Sequence, residues 1–130
     1  MEIHGIDHIG LVTKSIDESS AFYSNLCGFE AGEVEDIPAM QMRLCCLSKD
    51  NGVIELLEPY KKEGGSFGIK HLSIRCSNIY EVLNSVKEKG YKVLHQEPQV
   101  HGDRRFFFCQ GPDGEFIEFM EYIEQKGSGR

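Results

Sequence analysis

Between Gly5 and Val12 apolar and polar positions alternate, which predicts a strand with Ile9 and Leu11 on one face and His8 and Gly10 on the other. Ser15 and Glu18 then stand at capping-box spacing, and Ala21, Phe22, Leu26 and Phe29 supply the apolar stripe of a helix that Gly28 stops. A polar connection through Asp36-Ile37-Pro38 leads to a strand at Met42–Leu47, a turn at Asp50-Asn51-Gly52 and a strand at Val53–Glu58 closed by Pro59. The charged, glycine-rich Lys61–Ser66 reads as a linker. Alternation returns at Gly68–Arg75, with Leu72 and Ile74 on one face and His71, Ser73 and Arg75 on the other. Asn78 and Glu81 offer caps for a helix striped by Val82, Leu83 and Val86 and ended by Gly90. A strand near Lys92–Leu94, a loop at His101-Gly102-Asp103 and a strand at Arg105–Cys109 follow. The turn Gly111-Pro112-Asp113-Gly114 then delivers a last strand, in which Ile117 and Phe119 face one way and Phe116, Glu118 and Met120 the other.

The second half repeats the first. Gly5 maps to Gly68, Ile6 to Ile69, His8 to His71, Asp50 to Asp113 and Glu55 to Glu118, each at an offset of 63 (71 − 8 = 63; 118 − 55 = 63). Two copies of a β-α-β-β-β unit are too few for a solenoid. They predict an α+β fold in which tandem βαβββ modules share a half-open, curved, mixed sheet with the helices outside. The chain is read as one domain, with module 1 at about 4–60, the linker at 61–66, module 2 at about 67–123 and a polar tail at 124–130.

Composition narrows the function classes. A chain of 130 residues with 40% hydrophobic and 27% charged residues has the balance of an ordinary globular protein. Its net charge of −7 and lack of basic runs disfavour nucleic acid or an anionic membrane as partner, so an anionic substrate would need a local basic pocket. No stretch approaches the roughly 18 apolar residues of a membrane span. No signal-peptide pattern opens the chain, and the odd set Cys27, Cys45, Cys46, Cys76 and Cys109 lacks a CxxC pair. The expectation is a cytoplasmic protein whose cysteines are free and serve as small core residues.

In each repeat the first strand supplies a histidine and the last a glutamate, on the face opposite the helix-packing positions. Taken singly, these side chains could be satisfied core histidines and rim carboxylates. In register across a duplication, His8, Glu55, His71 and Glu118 predict a mixed nitrogen and oxygen site for one divalent metal ion, Ni, Co, Mn, Zn or Fe. Ser73 and Arg75 share the face of His71, and Arg105 flanks the His101 loop, so these three are the candidate substrate contacts, with Arg104 beside them.

The segments His8-Ile9-Gly10, Phe22-Tyr23 with Leu26-Cys27-Gly28-Phe29, Val53–Pro59, Gly68–Leu72 and Gly111–Gly114 leading to Ile117-Glu118 resemble those of the vicinal oxygen chelate superfamily. That superfamily includes glyoxalase I, methylmalonyl-CoA epimerase, extradiol dioxygenases and the fosfomycin and bleomycin resistance proteins. The resemblance spans roughly residues 4–122 and implies the same paired βαβββ fold. A carboxylate at Glu55 separates this chain from the dioxygenase and fosfomycin-resistance pattern of two histidines and one glutamate. The ligand set thus resembles glyoxalase I and the epimerase, which work through an enediolate or enolate held on the metal. The resemblance implies a metal-dependent lyase or isomerase that takes a proton from carbon next to a carbonyl, with Glu118 as general base and Glu55 as second ligand or proton acceptor. It further implies a small-molecule substrate such as a thiol adduct or thioester, and a homodimer. Two departures stand out. Leu11-Val12-Thr13 occupies the stretch where glyoxalase I carries an arginine, and Ala39 stands where the epimerase carries a second catalytic glutamate. The alternatives are therefore an epimerase-like enzyme and a non-catalytic ligand-binding protein of the resistance type.

Overall fold

The computed structural model describes residues 1–50, 52–112 and 114–123. Among these it has nine strands, two α-helices and one 3-10 turn: β1 (Ile3–Val12), α1 (Ile16–Cys27), β2 (Glu30–Ala31), β3 (Glu35–Ile37), the turn Pro38–Met40, β4 (Met42–Lys49), β5 (Gly52–Pro59), β6 (Gly68–Cys76), α2 (Ile79–Glu88), β7 (Gln99–His101), β8 (Arg104–Gln110) and β9 (Phe116–Tyr122). The fold is α+β, and the βαβββ order appears twice, with β2 and β3 as two short pieces on β4. Asn51, Asp113 and the tail from 124 onward, which the sequence assigns to two turns and a polar end, lie outside the described residues.

Two compact units emerge, and their boundary is not the linker. One is His8–His71; the other joins Met1–Asp7 to the chain from Leu72 onward. The first residues of β1 leave their own module because their bonds go elsewhere. Glu2 accepts from the Ser77 backbone N–H at 3.1 Å, His4 Nε2 meets Ser77 Oγ at 2.7 Å, and Tyr122 donates to Asp7 at 3.1 Å.

In the unit His8–His71, β5 lies between β4, antiparallel, and the end of β1, parallel, with Gly10 opposite Glu55. Ile16 of α1 packs on Cys45, Leu47 and Leu56, with Leu11, Tyr23, Phe29 and Ile54 around them. The stripe expected on α1 is only partly the buried one: Phe22 and Leu26 are 54% and 73% exposed. Twelve residues with apolar side chains on two faces leave the choice to the sheet, which takes Ile16 and Tyr23. Ser15 caps the helix through Oγ at 3.1 Å from the Glu18 N–H, and Gly28 ends it with its N–H on Ser24 O.

In the second unit β9 lies between β6 and β8, and β7 edges β8. Ile79, Val82 and Leu83 of α2 cover Cys76, Phe107 and Cys109. Asn78 does not cap α2 through its side chain; it adopts φ 50°, and the Glu121 carboxylate takes the Asn78 and Ile79 N–H groups at 2.9 and 3.3 Å. The first unit makes the same device, Glu58 accepting from the Ile16 N–H at 2.7 Å. Both positions obey the repeat (79 − 16 = 63; 121 − 58 = 63). So do Gly5 and Gly68, at φ 118° and 101°, a region that side chains rarely enter. The strand expected near Lys92–Leu94 is reduced to a single bridge, Val93 to Cys109.

Candidate functional site

Within the unit His8–His71 three chemically versatile side chains meet. His8 comes from β1, Glu55 from β5 and His71 from β6, and all three are buried. The alternation of β1 puts His8 and Gly10 on one face, and the pairing of Gly10 with Glu55 brings the carboxylate to that face. His8 Nε2 lies 3.3 Å from His71 Nε2, with the rings edge to face. The two Glu55 oxygens lie 3.6 Å from His8 Nε2 and 3.8 Å from His71 Nε2.

Gly10 makes this convergence possible. A Cβ there would stand 1.9 Å from His71 Cε1, so the imidazole fills the space a side chain would need. Two ring nitrogens this close cannot both carry a hydrogen pointing at the other. Either one donates to the other, or both turn lone pairs to a shared cation. Two neutral imidazole nitrogens and a carboxylate oxygen form the donor set of a borderline divalent metal.

In the other unit Glu118 is buried on β9, 7% exposed. Its cross-strand partner is Phe108, and Phe106 pairs with Met120 on the same face. Ser73 on β6 is fully buried, and its Oγ has no hydrogen-bond partner among the described residues. Arg75 is exposed, its guanidinium 5.1 Å from the centre of the Tyr122 ring. Arg105 lies beside the His101 loop, opposite Val100, on the face away from Glu118. It pairs with Glu121, on the same face as Phe107 and Phe119, where it contacts the Glu121 carboxylate at 3.5 Å and overlies Tyr80. Its counterpart in the other unit is Arg43, 3.3 Å from Glu58. Alternation instead gives Arg104, the partner of Tyr122, the face of Glu118.

The cysteines divide. Cys45, Cys76 and Cys109 are core residues, and burial pushes their thiols up, Cys76 to about 11. Cys27 is exposed and Cys46 half-buried, so the expectation of five core cysteines holds for three. A cavity of about 350 Å³ opens beside α2, lined by Val82, Val86, Ile117 and Phe119 on the face away from Glu118.

No pattern in the sequence singles out His95, a half-buried residue beside Phe106 and Phe108. The repeat could not flag it, because position 32 holds glycine (95 − 63 = 32).

A duplicated βαβββ protein with two histidines and a glutamate gathered at its strand centres is thereby defined. The chain belongs to the Glyoxalase/Bleomycin resistance protein/Dioxygenase superfamily, whose sequence model matches residues 5–119. It is 27% identical over 128 residues to a probable lactoylglutathione lyase of Synechocystis, covering 92% of this chain and 96% of that protein. It is 26% identical over 127 residues to the mitochondrial methylmalonyl-CoA epimerase of Bos taurus, covering 89% and 73%. Among solved structures, a hypothetical protein from Bacillus halodurans C-125 superimposes with a TM-score of 0.83 at 29% identity, over 92% and 95% of the two chains. A methylmalonyl-CoA epimerase in complex with methylmalonyl-CoA shares the fold, with a TM-score of 0.82 at 23% identity over 92% and 95%. No helix among the described residues is long and apolar enough to cross a membrane.

Proposed function

We propose that the chain is a divalent-metal-dependent lyase or isomerase of the glyoxalase I type, which removes a proton from carbon next to a carbonyl. The observation that carries this reading is the buried meeting of His8, Glu55 and His71, with Nε2 to Nε2 at 3.3 Å. These three would hold the ion with Glu118 as fourth ligand, the position that the repeat pairs with Glu55. The bound metal would supply Lewis acidity to a substrate oxygen. Glu118 is the proposed general base, since a carboxylate buried on β9 beside Phe108 and Met120 is poorly hydrated and can take a carbon-bound proton. Glu55 is the second ligand or the acceptor on the opposite face of the reacting carbon. Ser73 and Arg75 are the proposed substrate contacts, and Arg104 replaces Arg105 in that role because of the face it occupies.

A methylmalonyl-CoA epimerase-like reaction is the second reading, supported by the bovine relative at 26% identity. Both reactions share the proton-removal step, and the substrate is proposed to be a thiol adduct or thioester in either case. We further propose a homodimer, on the exposure of Phe22 and Leu26 one turn apart on α1. The test is the assay of hemithioacetal isomerisation and thioester epimerisation on chelated and metal-replete protein. The expected result is one of the two activities, dependent on metal and lost in Glu118→Gln. Tight binding of an aromatic ligand by a metal-free, inactive protein would point to the resistance-type alternative instead.

A further inference from the structure

His95 stands on the segment that follows α2 and runs along the edge of β8. The Leu94 N–H bonds Phe108 O at 2.8 Å, and the Gln110 N–H bonds Lys92 O at 3.0 Å. The His95 ring is level with the side chains of Phe106 and Phe108, at centroid distances of 5.9 and 6.0 Å. Phe108 pairs directly with Glu118, so His95, Phe108 and Glu118 succeed one another across a single face of one unit. Two strand spacings separate the outer pair, about 10 Å between backbones.

The tautomer of His95 is fixed by its backbone bond. The Phe108 N–H donates to His95 Nδ1 at 3.1 Å, so Nδ1 is the acceptor and the neutral ring carries its hydrogen on Nε2. That N–H points away from the β8 backbone, and among the described residues nothing accepts from it. Phe106 meets the ring edge to face, and Phe108 lies tilted against it.

We propose that His95 is a specificity-determining residue whose Nε2–H binds an amide carbonyl in the carrier portion of a thiol-linked substrate. The proposal rests on the reading that the substrate is a thiol adduct or thioester. In such a molecule the sulfur is bonded to the reacting carbon, in a hemithioacetal, or to the carbonyl beside it, in a thioester, and an amide carbonyl follows after a short methylene stem. With the reacting carbon at Glu118, the stem runs over the Phe108 ring and the carbonyl arrives at His95. Glutathione and the pantetheine arm of coenzyme A both carry this stem and amide, so the shared group is the amide acceptor.

The test uses the full chain, metal-replete, with two non-reacting probes: S-methylglutathione and S-methyl-coenzyme A. Binding is followed by the side-chain nitrogen resonances of His95 and by calorimetry, with metal content measured on the same sample. The expected result is that one probe shifts the His95 Nε2 signal and identifies the carrier. His95→Phe should then weaken that probe about fivefold or more, and His95→Gln, which keeps an N–H donor, should recover part of the loss. Thermal unfolding of both variants checks that the face is intact. If neither probe moves the His95 signal, or if His95→Phe binds as tightly as wild type, the inference is overturned. A protein without metal whose His95 still meets a probe would contradict the metal reading alone.

Discussion

A methyl group's worth of space decides whether His71 can face His8. Because a Cβ at position 10 would overlap the His71 ring, Gly10→Ala should push the imidazole off its present position. We expect metal affinity to fall about 10- to 100-fold, a loss of the size seen when ligand-supporting groups are removed. Titration with Co²⁺, read from its visible spectrum, checks this, and an unchanged affinity would mean that the ring does not depend on the gap. The thiols offer a second test at this scale. Alkylation at mildly alkaline pH, followed by mass spectrometry, should label the exposed Cys27 first and leave Cys45, Cys76 and Cys109 unmodified while the protein is folded. Labelling of Cys76 at the pace of Cys27 would contradict the burial that pushes its thiol to about 11.

Each helix is anchored by a carboxylate from the last strand of its module, and the repeat makes the two anchors equivalent. Burial alone would push the Glu58 carboxyl up. The Ile16 N–H outweighs it together with Lys62 at 3.1 Å and Arg43 at 3.3 Å, and the group ends below its ordinary value. A carboxyl lowered on folding stabilises the native state at pH above its unfolded value, about 4.3, and the benefit disappears as pH falls through the lower folded value. Glu58→Gln should therefore lose about 1 kcal/mol near neutral pH, roughly 3–8 °C in Tm, and the gap from wild type should close in acid. A gap that stays constant down to the acid limb would rule out the charged cap. The same reasoning explains Arg105. Its partner Glu121 binds the start of α2, so Arg105→Ala is expected to lower Tm more than it raises KM.

Across the molecule, what the sequence made legible is what the duplication wrote twice. His8 with His71, Glu55 with Glu118 and Gly5 with Gly68 all follow from one offset, and so does the order of strands and helices. Features that depend on neighbours were harder to read. Phe22 and Leu26 fit a helical stripe as well as Ile16 and Tyr23 do, and only the packing of α1 on Cys45, Leu47 and Leu56 decides between them. Arg104 and Arg105 are adjacent, so their faces depend on a register that Phe108 opposite Glu118 fixes. Asn78 has a good capping side chain, yet the Glu121 carboxylate from a distant strand takes the N–H groups instead. The unit boundary inside β1 likewise comes from contacts to Ser77 and Tyr122, far along the chain.

The proposed metal centre of His8, Glu55, His71 and Glu118 is tested by the metal content of protein purified without chelator or nickel resin. The measurement is made beside His71→Ala and Glu118→Ala, each shown to be folded by circular dichroism. About one transition metal per chain is expected in the wild type, lost in both variants, with a thermal shift when Ni²⁺, Co²⁺, Mn²⁺ or Zn²⁺ is returned to the stripped protein. A folded wild type that carries no metal and gains no stability from any of these ions would contradict that centre.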